Sequence, residues 1–158
     1  MPNITIREYH PESGALLSNV NVLNWGKITA GTRSRVKVID IAFSEVTAVE
    51  NIKLGIISSG GFNVSSNVAD TSNYDDGSVN YGHFGIETAA SFDSAKASAP
   101  LARYFKGLNA TVTAGDSNNV SIPSRSTTLS NYIYLDIEVD ASASGSGNGA
   151  YKIFFDYS

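Results

Sequence analysis

The amino-acid sequence predicts an all-β fold: a two-sheet antiparallel β-sandwich, immunoglobulin-like or jelly-roll Greek key, with at most one short helix near 92–107. Three observations lead there. Residues 132–139 and 151–157 alternate side-chain character with a period of two, as strands do when one face meets a core. Only 16% of the residues are charged, while Ser, Asn, Thr and 14 Gly make up the difference, a composition that favours turns and loops over helices. Short apolar runs recur between turn-forming clusters along most of the chain, the pattern of sandwiches and barrels. At 158 residues and 42% hydrophobic, the chain is read as one domain over 1–158 with a genuine core.

Taken in order, Ile4 and Ile6 suggest a first strand, and Val20, Val22 and Trp25 to Ile28 one or two more. In residues 36–43 the apolar positions are even at Val36 and Val38, then odd at Ile39, Ile41 and Phe43. Either both faces of this strand are covered, or a bulge inserts a residue and re-aims it. A turn over residues 47–51 precedes a strand marked by Ile52, Leu54 and Ile56. Residues 58–82 form a long polar segment, which in a compact domain is usually functional or mobile. Phe84 to Ile86 reads as a short strand. Leu101, Tyr104, Phe105 and Leu108 have helical spacing after Pro100, which can start a helix. Val112 and residues 120–122 add short pieces.

The most regular stretch is Tyr132–Val139. Ile133, Leu135, Ile137 and Val139 share the core-facing parity, and Tyr132, Tyr134, Asp136 and Glu138 are expected to face water. Tyr151, Ile153, Phe155 and Tyr157 are in phase as a second strand. The intervening Gly- and Ser-rich connector predicts a hairpin between the two, with Lys152 placed near Asp136 and Glu138 as a cross-strand pair.

Chemistry is sparsely signalled. Eleven basic and 15 acidic residues give a net charge of −4, which disfavours bulk binding to phosphate backbones, so no nucleic-acid partner is expected. The absence of cysteine excludes disulfides and thiolate metal sites. No apolar run approaches the ~18 residues that span a bilayer, the N-terminus lacks the pattern of a secretion signal, and no membrane association is expected. His10 and His83 are not brought together by anything in the sequence. Neither a nucleophile elbow nor a phosphate-binding glycine loop is present. Asp136 with Glu138 reads as a solvated pair. Asp70, Asn73, Asp75 and Asp76 fail the calcium-loop spacing, because Ser72 and Tyr74 occupy ligand positions before Gly77. Four glycosylation sequons, beginning at Asn3, Asn63, Asn109 and Asn119, arise easily in a chain this rich in Asn and Ser. The expectation is a non-enzymatic protein with no metal and no cofactor.

Two groups remain as candidate contact surface. Arg33, Arg35 and Lys37 share one strand parity and would form a basic stripe. It would either dock on an acidic partner or guard an edge strand against aggregation. Tyr74 and Tyr81, in and beside the long polar segment, are aromatic rings of the kind used at interfaces and carbohydrate platforms.

Residues 25–34 (Trp-Gly-Lys-Ile-Thr-Ala-Gly-Thr-Arg-Ser), 49–56 (Val-Glu-Asn-Ile-Lys-Leu-Gly-Ile), 131–139 and 152–157 together resemble β-sandwich structural proteins of tailed bacteriophage virions, of the capsid decoration or minor tail and neck types. The phrases are patterns of strand and turn, spread over most of the chain. The resemblance implies a capsid decoration or accessory protein located in the virion. Its partners would be other virion proteins of capsid or tail, with homo-oligomers common in such symmetric settings. It carries over no catalytic or binding residues. The alternative is a carbohydrate- or receptor-binding β-sandwich module with its site at Tyr74 and Tyr81.

Overall fold

A computed structural model describes residues 1–59, 63–64, 81–98, 101, 112–116, 119–139 and 148–158, the side chains of 58–59, 63–64, 81–83 and 148–149 excepted. Its strands are β1 (Asn3–Tyr9), β2 (Leu16–Asn19), β3 (Lys37–Ser44), β4 (Val49–Ser59), β5 (Asn63–Val64), β6 (Tyr81–Ala89), β7 (Val120–Ser121), β8 (Ser124–Ser126), β9 (Leu129–Ser130), β10 (Tyr132–Val139) and β11 (Asn148–Tyr157). They form two packed sheets. The larger runs β2-β1-β3-β10-β6-β5, with β9 also on β3 and β8 on β9; the smaller runs β11-β4-β7. Pairing is antiparallel except where β5 lies parallel to β6. The expected all-β sandwich is therefore the fold. Within 92–107, Lys96–Ser98 makes one 3-10 turn, and Tyr104, Phe105 and Leu108 lie outside the described residues.

The core between the sheets is aliphatic. Ile39, Ile41 and Phe43 of β3, Ile133, Leu135 and Ile137 of β10, and Phe84 and Ile86 of β6 face Val49, Ile52, Leu54 and Ile56 of β4, with Ile122 beside them. Each such side chain contributes about 1.5–3 kcal/mol by leaving water. In β4, Val49 and Ile52 both point inward although three positions separate them. The pairing with β11 slips between Phe154 and Asp156, and Asn51 takes a positive φ of 52°. One extra residue is thereby absorbed as a bulge, so 49–51 belong to the strand rather than to a turn.

The parity switch in 36–43 is settled by the register of β1 on β3, which runs without a slip from Asn3 opposite Ser44 to Tyr9 opposite Val38. No bulge is present; both faces of β3 are covered. On its outer face Val36, Val38, Tyr9, Tyr134 and Leu101 form a second, smaller core, with Phe92, Ala97 and Tyr132 packed against it.

That second core corrects the expected solvated face of β10. Tyr134 and Asp136 are both 0% exposed, because Phe92, Ala97 and Leu101 pack over the outer face of the larger sheet. The expected hairpin between β10 and β11 also fails. β10 pairs with β3 and β6, whereas β11 crosses to the smaller sheet and pairs with β4, where Lys152 lies opposite Gly55. A Gly- and Ser-rich connector sequence is compatible with either a hairpin or a crossing between sheets, and strand alternation is the same in both. Between residues 20 and 36 the chain is irregular, and Leu23, Trp25 and Ile28 pack on the main core from there.

Candidate interaction surface

The outer face of the larger sheet holds the densest polar chemistry among the described residues. Asp40 of β3 is fully buried. It accepts hydrogen bonds from Arg7 Nε at 2.8 Å and from Tyr9 Oη at 2.9 Å, and the Nη2 atoms of Arg7 and Arg125 both reach its Oδ2. Burial alone would raise the Asp40 carboxyl, but the hydrogen bonds from Arg7, Arg125 and Tyr9 outweigh it and hold the group below the usual carboxylate range. Arg125 also stacks over the Tyr132 ring at 4.2 Å and donates to Ser130 O. Two arginines, a carboxylate and two tyrosines thus tie β1, β3, β8 and β10 together. This cluster locks strands; its charges are spent internally.

The second carboxylate pair is not solvated. Asp136 Oδ2 accepts from Leu101 N–H at 3.3 Å and lies 3.9 Å from Arg33, whose Nη2 is 2.5 Å from Glu138. Burial pushes both carboxyls above their ordinary range, against the pull of Arg33.

The basic stripe does not form. Leu135 pairs with Lys37 but Glu138 pairs with Arg33, so three steps along β10 match four along the facing segment. The extra residue reverses parity. Arg33 turns to the outer face and its two carboxylates, while Lys37 turns inward to Glu8 at 3.0 Å and lies 5.8 Å from the Trp25 ring centre. Arg35 remains exposed. Tyr74 lies outside the described residues, as do Asp70, Asn73, Asp75 and Asp76; Tyr81 opens β6, with its backbone alone described. His10 accepts backbone N–H groups of Glu12 and Ser13 at Nδ1, a turn-closing role. Among the described residues no group of three or more His, Asp and Glu is arranged to hold a metal, and no helix is long and apolar enough to cross a membrane.

What sequence reading missed is apolar surface at the sheet edge. β2 ends the larger sheet, and all four of its residues are exposed. Leu16 and Leu17 are 55% and 54% exposed, and Val22 just beyond is 77% exposed. The strand is Leu-Leu-Ser-Asn, with neither a charge nor a proline to discourage pairing. Adjacent leucines between Gly14 and Ser18 were the available signal; alternation is too short there to declare a strand. The smaller sheet ends at β11, a ten-residue strand. Its inward Tyr151, Ile153 and Phe155 are only partly buried, and Tyr157 is 58% exposed.

No family model, curated protein or solved structure matches this chain.

Proposed function

We propose that the chain is a non-enzymatic structural protein of a tailed-phage virion, a capsid decoration or accessory protein that docks on neighbouring subunits by an edge strand. The observation that carries this reading is β2. An uncharged edge strand bearing two half-exposed leucines, with Val22 beside it, is a liability in a free monomer and an asset once paired. Strand addition at such an edge supplies main-chain hydrogen bonds for affinity and side-chain pockets for specificity. The polar clusters fit the same role: Asp40 with Arg7 and Arg125, and Asp136 with Arg33, join strands to one another.

The test uses virions from the source of the sequence. Tagged chain is incubated with particles stripped of their accessory proteins and sedimented. Wild-type chain is expected to pellet at a fixed number of copies per particle, and Leu16→Lys with Leu17→Lys to stay in the supernatant while unfolding at the wild-type midpoint. Wild-type chain that stays in the supernatant, or a double variant that pellets equally well, overturns the reading.

A further inference from the structure

Among the described residues β11 is paired on one side only, with β4, and its other edge is written as a palindrome of charge and shape. The strand runs Tyr151, Lys152, Ile153, Phe154, Phe155, Asp156, Tyr157. The bulge at Asn51 sits on β4, so β11 itself alternates without interruption. Lys152, Phe154 and Asp156 point to the outer side of the smaller sheet, and Tyr151, Ile153 and Phe155 to the main core. Ser158 directs its N–H and C=O at Ala48. By alternation the even-numbered residues of β11 spend their backbone groups on β4, and those of Tyr151, Ile153, Phe155 and Tyr157 point to the open side.

We infer that β11 pairs antiparallel with β11 of a second copy about a two-fold axis through Phe154, merging two three-stranded sheets into one across a homodimer. In an antiparallel pair opposite residues share a face, so a dyad through Phe154 fixes every partner. Lys152 then meets Asp156 of the second copy, and Asp156 meets its Lys152, giving two ion pairs that flank the two Phe154 rings. On the inner side Ile153 meets Phe155 and Tyr151 meets Tyr157, each twice. The half-open flank of the core, with its exposed Tyr157, is covered by the same residues of the other chain.

Charge complementarity selects a second copy as the occupant. A lone edge lysine would repel its own image, which is how edges are commonly kept apart. Here an aspartate stands equally far on the other side of Phe154 and reverses the sign. Lys152 has no ion pair among the described residues. Asp156 accepts one bond, from Asn51 Nδ2 at 2.8 Å to its Oδ2, which leaves Oδ1 for the lysine. The strand carries no proline and extends over ten residues, long enough for a stable ladder. The pairing stands on β11 alone and does not depend on where β2 docks or on the virion reading.

The test exploits the absence of cysteine from the chain. At the dyad the two residues at position 154 form a non-hydrogen-bonded pair, with Cα atoms ~4.5 Å apart, within the range a disulfide spans. Phe154→Cys is therefore expected to give a covalent dimer on mild oxidation, whereas Ser18→Cys on β2 gives no covalent dimer. By sedimentation equilibrium the wild-type chain is expected to dimerise. Lys152→Glu or Asp156→Lys creates two like-charge contacts and is expected to raise the dissociation constant by about tenfold or more. The reciprocal swap, Lys152→Asp with Asp156→Lys, preserves the palindrome and is expected to restore dimerisation, with unfolding midpoints showing that each variant folds. A wild-type chain of single-chain mass at all concentrations, a Phe154→Cys chain that stays monomeric, or a reciprocal swap no better than either single change overturns the proposal.

Discussion

Gly85 of β6 lies directly opposite Asp136 of β10, and the Asp136 carboxylate occupies the space that a side chain at position 85 would need. A Cβ built on Gly85 would overlap Asp136 Oδ1 and come within 3.2 Å of Leu101 Cβ. The glycine is required by this close approach, and the buried carboxylate, Leu101 and the strand pairing are parts of one arrangement.

Gly85→Ala is accordingly expected to destabilise the fold by about 1–3 kcal/mol, the usual cost of overpacking, read as a lower urea midpoint. In a chain that also carries Asp136→Gly the same substitution should cost much less. Equal costs in both backgrounds would show that the two residues do not share this space.

Asp40 is the anchor of the strand-locking cluster. Asp40→Asn leaves Arg7 and Arg125 without their shared counter-charge, and loss of one member of a buried ionic group typically costs about 3–5 kcal/mol. Because the folded carboxyl titrates below its unfolded value, its contribution is present above the unfolded pKa of about 3.9. It is lost as pH falls through the lower, folded value. Thermal unfolding of the wild-type and Asp40→Asn chains should therefore differ most near neutrality and converge in strong acid. A gap independent of pH would contradict this assignment.

Asp136 carries the opposite sign. Burial raises its carboxyl above the ordinary range, so the folded chain holds that proton more tightly than the unfolded chain. The resulting stability is present below the unfolded pKa and is lost as pH rises through the folded one. Asp136→Asn removes this titration, and wild-type stability relative to the variant should fall as pH increases across that window. Urea unfolding of both chains along a pH series measures it; a relative stability that rises with pH would show the carboxylate to be better solvated than its surroundings imply.

The sequence disclosed the strands better than their partners. β10 was legible because four aliphatic residues share a parity, and β3 because its apolar positions fill both parities, one of two openings its pattern left. Which strand lay beside which was hidden, since a hairpin and a crossing between sheets leave the same alternation in β10 and β11. The burial of Tyr134 and Asp136 was also hidden, because it depends on Phe92, Ala97 and Leu101 packing over a face that locally looks polar. The basic stripe failed through one extra residue between Arg33 and Lys37, a register effect set by β10. Leu16 and Leu17 escaped notice because an edge becomes an edge only when the whole sheet is ordered.

The claim on which the functional reading rests is that this chain is a constituent of the particle, and counting it there is the most direct measurement. Virions purified through successive density gradients, digested and quantified by mass spectrometry against a labelled standard of the chain, should contain it in a constant ratio to the major capsid subunit. A chain confined to the lysate supernatant, or a ratio that falls with each round of purification, would contradict the account.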